Sequence, residues 1–164
     1  MNYFILDKGN PEHYKMLEKL MFEYVAETDL HQGISTPKNI IPKITKSMID
    51  KIDENRLLQM VLDENEIVGF CYAKIDKEND KGIVRVNWGY IMEFFVRPIY
   101  RRKGIGRKLV ELCEDFFVNN GVENVWLTAD SVTGYPFWIA CNYLDSNEIS
   151  VENNQKIFTK RLNK

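Results

Sequence analysis

The sequence predicts an α+β domain, with a central mixed, twisted sheet of about six to seven strands and helices on both faces. Three observations predict it. Helical periodicities and strand-like apolar runs follow one another in the order β-α-α-β-β-β-α-β-α-β-β. The 164 residues suit one domain, 1–164, and are enough to bury an ordinary core. A hydrophobic content of 45% against 28% charged is that of a globular chain, which argues against global disorder.

Asn2–Leu6 reads as a short first strand. Asn10-Pro11 supplies an N-cap followed by proline at the first helical position. Tyr14, Leu17, Met21, Tyr24 and Val25 then recur at helical spacing, predicting a helix to about Glu27 and a loop over Thr28–Asn39. Ile44, Met48 and Ile52 fall four apart and mark a second helix, with Pro37 and Pro42 as alternative starts. Leu57–Leu62 and Ile67–Ile75, parted by Asp63-Glu64-Asn65-Glu66, read as a β-hairpin. Ile83–Val96 is rich in β-branched and aromatic residues and predicts one long strand. Ile105, Leu109, Leu112, Cys113 and Phe116 line one face of a strong helix that Asn119-Asn120-Gly121 stops. Val125–Thr128 reads as a strand, Pro136–Cys141 as a short helix, and Tyr143–Ile149 with Lys156–Leu162 as a closing hairpin.

A net charge of −2 sets up no global attraction to nucleic acid or membrane. No apolar run approaches the roughly 20 residues that span a bilayer, and the first residues lack a signal-peptide pattern. Cys71, Cys113 and Cys141 sit among apolar neighbours and read as free buried thiols, so a cytoplasmic setting is expected. His13 and His31 are isolated, and no metal site is expected.

Charge is concentrated at one place. Six of the twelve residues from Arg97 to Lys108 are basic (Arg97, Arg101, Arg102, Lys103, Arg107, Lys108), and Gly104 and Gly106 sit where the strong helix begins. Glycine lets a ligand approach the backbone, and the unpaired N–H groups of the first helical turn then point at it. The helix dipole favours an anion there by roughly 0.3–1 kcal/mol. A solvated basic turn is the bland alternative. A P-loop would need Ser or Thr after its lysine, and a dinucleotide fingerprint would need glycine where Leu109 stands.

Arg101-x-x-Gly104-x-Gly106, after a strand and opening a helix, resembles the acetyl-CoA pyrophosphate loop of the GCN5-related N-acetyltransferases. The element order matches that fold over nearly the whole chain. The resemblance implies that the strand backbone at Phe94, Phe95 and Val96 pairs with pantetheine. It implies that Arg101, Arg102, Lys103, Gly104, Ile105, Gly106 and Arg107 hold the pyrophosphate. A second family pattern, Phe-Tyr-x-x-x-Gly-Phe, is matched by Phe137-Trp138-Ile139-Ala140-Cys141-Asn142-Tyr143. Asn142 suits the left-handed position that glycine usually fills. Trp138 stands where the tyrosine that often serves as general acid would be. The asparagine often found after the preceding strand is absent, with Asp130 and Ser131 nearby instead, so Ser131, Phe137 and Trp138 complete the expected cofactor contacts.

The implied reaction is attack of an amine on the thioester, and deprotonating the amine is its larger task. Glu93, flanked by Met92 and Phe94, is the candidate base; a strand carboxylate facing solvent is the competing reading. Indole N–H cannot release a proton at neutral pH, so Tyr135 or Tyr143 substitutes as acid, or no strong acid is needed. Trp88 and Tyr90 either line an acceptor pocket or pack in the sheet. Glu23, Glu27, Asp29, Asp145, Glu148 and Glu152 could form an acidic rim for a cationic acceptor.

Three functions stay in view. The first is an acetyl-CoA-dependent N-acetyltransferase acting on an amine-bearing small molecule or protein. The second is a catalytically silent acyl-CoA-binding module. The third is a nucleic-acid-binding domain using Arg97–Lys108, for which one basic turn on an acidic protein is a weak footprint. No nucleic-acid or membrane partner is therefore expected, and exposed strand edges leave a homodimer open.

Overall fold

A computed structural model describes residues 1–163. Seven strands, β1 (Asn2–Ile5), β2 (Arg56–Asp63), β3 (Glu66–Ile75), β4 (Gly89–Val96), β5 (Asn124–Ala129), β6 (Leu144–Ile149) and β7 (Lys156–Arg161), form one sheet. Its order is β1-β2-β3-β4-β5-β7-β6, and every pairing is antiparallel except that of β4 with β5. Four α-helices cover it: α1 (Pro11–Gln32), α2 (Ile41–Asp50), α3 (Ile105–Asn119) and α4 (Gly134–Ala140). One core packs α1 and α2 through Leu17, Leu20, Met21, Ile41 and Met48 against Leu58, Met60, Phe70 and Phe95. The other packs α3 and α4 through Leu109, Cys113, Phe117 and Trp138 against Val61, Cys71, Val125 and Leu127. The predicted mixed sheet with helices on both faces is the observed one.

Local rules explain most of the elements. Asn10 Oδ1 accepts the Glu12 N–H at 3.0 Å, and Pro11 opens α1. Gly33, at φ 66°, closes it. The helix therefore runs to Gln32 rather than stopping near Glu27, because nothing before Gly33 breaks it. The expected long strand Ile83–Val96 is shortened to Gly89–Val96 for a tertiary reason. Asp76 is buried, and its carboxylate accepts the Arg85 N–H at 3.0 Å and the Trp126 indole N–H at 2.7 Å. Those bonds, with Asn87 at φ 66°, bend the chain before Trp88. Asn142 occupies the left-handed region at φ 65°, as its substitution for glycine implied.

Among the described residues, no helix is long and apolar enough to cross a membrane. Cys71, Cys113 and Cys141 are free and buried.

Candidate active site

The site originates in the one parallel pairing. β4 and β5 are matched only at Gly89 with Val125 and at Tyr90 with Trp126. The Tyr90 and Trp126 rings stack there, 3.9 Å between centroids. Beyond Tyr90 the ladder ends, so the β4 edge towards β5 is unpaired and a wedge opens between the strands. A cleft of about 1010 Å³ occupies it. Its walls are the last turns of α1, the backbone and side chains of Tyr90–Val96, Arg101, Arg102 and Gly106 of the loop, and Leu127–Asp130 with α4.

A bulge aims the candidate base. Tyr72 pairs with Glu93 and Ala73 with Ile91, leaving Met92 as the extra residue of β4. Strict alternation would send Met92 and Glu93 to opposite faces; here both meet the α1 side. Met92 packs on the core beneath α1 and α2, and Glu93 Oε2 accepts a hydrogen bond from the Tyr24 hydroxyl of α1. Burial pushes the Glu93 carboxyl up to about 7, against the opposing pull of the Tyr24 hydrogen bond. Burial, and then the Glu93 charge, raise the Tyr24 phenol well above its ordinary value, so at neutral pH it keeps its proton and acts as a donor.

The loop divides its residues between cleft and scaffold. Gly104 is the N-cap of α3 at φ 83°, and no side chain caps that helix. Its first N–H groups are thus left for a ligand. Gly106 lines the cleft, and a Cβ there would lie 3.0 Å from the Phe137 ring. A pyrophosphate fits this cradle: bare backbone, uncapped helix, and Arg102, which lines the cleft and makes no ion pair among the described residues. Arg101 departs from expectation. Its Nε donates to the Val96 carbonyl at 2.7 Å, and its Nη2 meets both Glu27 oxygens at 2.7 Å. Lys103 lies over the Tyr100 ring, Arg107 donates to the Ala140 carbonyl, and Ile105 is buried in the core. None of these three lines the cleft.

Phe94, Phe137 and Trp138 line it as an aromatic cluster, with Phe94 5.1 Å from Phe137 and 5.2 Å from Trp138. Ser131 does not line it. Its neighbour Asp130 does, turned inward by N–H bonds from Val132, Thr133 and Gly134. Burial works against the charge on Asp130, yet those bonds hold its carboxyl below the usual range.

The two tyrosines proposed as acids lie elsewhere. Tyr143 is fully buried, and its hydroxyl donates to Glu114 of α3 at 3.0 Å. Tyr135 packs edge-on to Phe158, beneath the Lys156 ammonium. Neither lines the cleft: α4 turns Tyr135 onto Phe158, and Tyr143, just beyond α4, packs edge-on to Trp138 and bonds α3. Of the suspected acidic rim only Glu27 and Asp29 line it, and Glu27 is paired with Arg101. Glu23, Asp145 and Glu148 are taken by Arg97, Lys156 and Arg85. Trp88 lies outside the cleft and Tyr90 inside it. Sequence reading missed Tyr24, which its helical spacing marked only as core, and His31, which lies 4.0 Å from Asp130 across the cleft mouth. Among the described residues no cluster of His, Cys, Asp or Glu could hold a metal ion.

Comparison with known proteins decides the family. The model of the acetyltransferase (GNAT) family matches residues 17–135. The chain belongs to the GNAT acetyltransferase family. No curated protein matches it in sequence. Solved GNAT structures match it in fold over nearly their whole length. The PaiA N-acetyltransferase of Thermoplasma acidophilum, in complex with coenzyme A, superposes with a TM-score of 0.74 at 17% identity, covering 99% of this chain and 100% of that one. An aminoglycoside 6'-N-acetyltransferase complexed with coenzyme A gives 0.73 at 14% identity, covering 100% and 99%. The NatC complex bound to Gag peptide and CoA gives 0.67 at 17%, covering 99% and 98%. The uncapped start of α3, the open β4 edge and the end of α1 together wall the cleft.

Proposed function

We propose that this acetyltransferase moves the acetyl group of acetyl-CoA to a primary amine, on a small molecule or a protein, by direct attack within a ternary complex. Glu93 carries the reading: a carboxyl that burial brings to about 7, set by a bulge where the β4 ladder opens. An alkyl ammonium with a reference pKa of about 10.4 costs roughly 4–5 kcal/mol to present neutral at pH 7. Expelling a thiol of pKa near 8.5 as thiolate costs only about 2 kcal/mol. The amine proton is the larger obstacle, and a carboxyl ionising near neutrality is matched to taking it.

The residues divide the work. Tyr24 holds Glu93 Oε2, which leaves Oε1 to receive the amine proton directly or through one water. Gly104, Gly106 and the α3 N–H groups would hold the pyrophosphate with Arg102, and the backbone of Phe94–Val96 the pantetheine arm. The thioester supplies the acyl group. A thiolate leaves without a strong acid, so Trp138 at the usual tyrosine position is compatible with turnover. The acceptor enters along the α1 wall. The buried free thiols support a reducing, cytoplasmic setting.

Titration calorimetry with acetyl-CoA and with ATP, on wild type and Arg102→Ala, tests the donor site. Turnover with spermidine, kanamycin and a peptide with a free N-terminus tests the acceptor class. Binding of acetyl-CoA but not ATP is expected, weakened about tenfold in Arg102→Ala by the lost charge-assisted contact, with turnover of one amine that Glu93→Gln slows by about 10²–10⁴. Binding without any turnover would favour a silent acyl-CoA module, and no binding would sink the reading.

A further inference from the structure

Arg101 is the arginine that the loop pattern assigns to pyrophosphate, yet its bonds run inward. It donates to the Val96 carbonyl, grips both oxygens of Glu27, and lies 5.6 Å over the Phe95 ring. Glu27 belongs to α1, and the packing of α1 shows why that grip matters. The fully buried residues of the helix are Leu17, Leu20 and Met21. In the turns that follow no residue is fully buried: Tyr24 and Val25 pack on the edge of the core, and the end of the helix extends past it. Glu23 is held by Arg97 at 2.8 Å, and Tyr24 packs near Phe70 and Phe95 while binding Glu93. Beyond Tyr24 the polar ties are Glu27 to Arg101, Asp29 to Thr36, and the longer approach of His31 to Asp130. These last turns carry Thr28, Asp29, His31 and Gln32 on the cleft wall.

We propose that Arg101 is a positioning residue that fixes the overhanging end of α1 as the acceptor wall, and that it is not a phosphate ligand. The proposal rests on the acetyltransferase reading above. Because Glu23 and Arg97 brace the helix at the level of Tyr24, the Tyr24–Glu93 pair stays aligned when the Glu27–Arg101 pair is broken. Loss of the pair therefore appears in the KM of the amine more than in kcat. Arg102 and the backbone cradle leave donor affinity intact.

The test uses Arg101→Gln, Glu27→Gln, Arg101→Glu, and the exchange Glu27→Arg with Arg101→Glu in the full chain, with circular dichroism confirming folding. Coenzyme A affinity is read by calorimetry, and turnover with whichever of spermidine, kanamycin or the peptide is the best acceptor. Arg101→Gln and Glu27→Gln should each keep the Kd for coenzyme A within about threefold. Each should raise the amine KM at least about fivefold while kcat stays within about threefold, for loss of one partly exposed ion pair. The exchange should recover most of the KM that Arg101→Glu loses. A tenfold or greater loss of coenzyme A binding in Arg101→Gln, with Glu27→Gln unaffected, would make Arg101 a phosphate ligand and overturn the proposal alone. Failure of the exchange to recover KM would overturn it too. Wild-type protein that binds no coenzyme A would overturn the acetyltransferase reading itself.

Discussion

The Tyr24 hydroxyl donates to Glu93 Oε2 from a helix sixty-nine residues earlier in the chain, so the proposed base is oriented by an element from outside its own strand. The bond opposes burial: it stabilises the charged carboxylate that desolvation disfavours. Tyr24→Phe keeps the edge-on packing against Phe70 and the contact with Phe95, and removes the donor alone. Burial then acts unopposed, and Glu93 ionises above about 7. The acidic limb of kcat/KM should move to higher pH, by about half a unit to one unit for a hydrogen bond of ordinary strength. A pH–rate profile checks it, and an unmoved limb would separate Tyr24 from the base.

Glu93→Gln should lower kcat/KM by about 10²–10⁴ at pH 8 if Glu93 is the general base. The same change should stabilise the fold. Glu93 has a folded pKa of about 7, raised from the ordinary 4.5, so the folded state holds its proton more tightly than the unfolded chain. The stability this contributes is fully present below pH 4.5 and is lost as the pH rises through 7. Glutamine never ionises and keeps an acceptor for Tyr24. The variant should therefore gain about 3 kcal/mol over wild type at pH 8, a Tm higher by about 6–12 °C, and almost nothing at pH 4.5. Thermal melts at the two pH values settle the sign.

What the sequence made legible here was local chemistry. The Asn10 cap, the left-handed Asn142, the uncapped glycine loop and the amphipathic α3 follow from residue types at short spacing, and all are found. Glu93 was legible as a candidate because it sits before Phe94 and Phe95 on a recognisable strand, but its orientation depends on the Met92 bulge, a matter of register with β3. Tyr24 was hidden because helical periodicity classed it as core, and Glu27, legible as part of an acidic rim, gave no sign of its pairing with Arg101. Their partners come from β4 and from the loop beyond it. The shortening of β4 likewise depends on buried Asp76 finding Trp126, fifty residues away. Long-range polar pairing leaves no periodic trace.

Tyr143→Phe and Tyr135→Phe should each leave turnover unchanged. Tyr143 is buried against α3, and Lys160 still bonds Glu114 at 2.8 and 2.9 Å when the hydroxyl is gone. Tyr143→Phe should therefore cost only about 1 kcal/mol of stability. Steady-state rates beside thermal melts test both parts. A tenfold loss of kcat in either variant would return that tyrosine to the chemistry.

Gly104→Ala and Gly106→Ala should fail in opposite ways, though the two glycines stand only two residues apart. Gly104 sits at φ 83° with nothing within 4 Å of a Cβ, so alanine meets backbone strain and no neighbour. That substitution should cost about 1–2 kcal/mol of stability, with donor affinity falling only as far as the α3 N-terminus shifts. Gly106 lies inside the helix without a positive φ, where alanine is the better helix former by about 1 kcal/mol. Its Cβ would instead press on the Phe137 ring at 3.0 Å and stand 3.5 Å from Phe94, on the surface of the cleft. Gly106→Ala should therefore melt within a few degrees of wild type and lose about tenfold or more in acetyl-CoA affinity, because the close approach to the backbone is filled. Calorimetry and melts on the pair distinguish a ligand cradle from a turn. Equal loss of stability with unchanged affinity in both would mean that the glycines serve the turn alone.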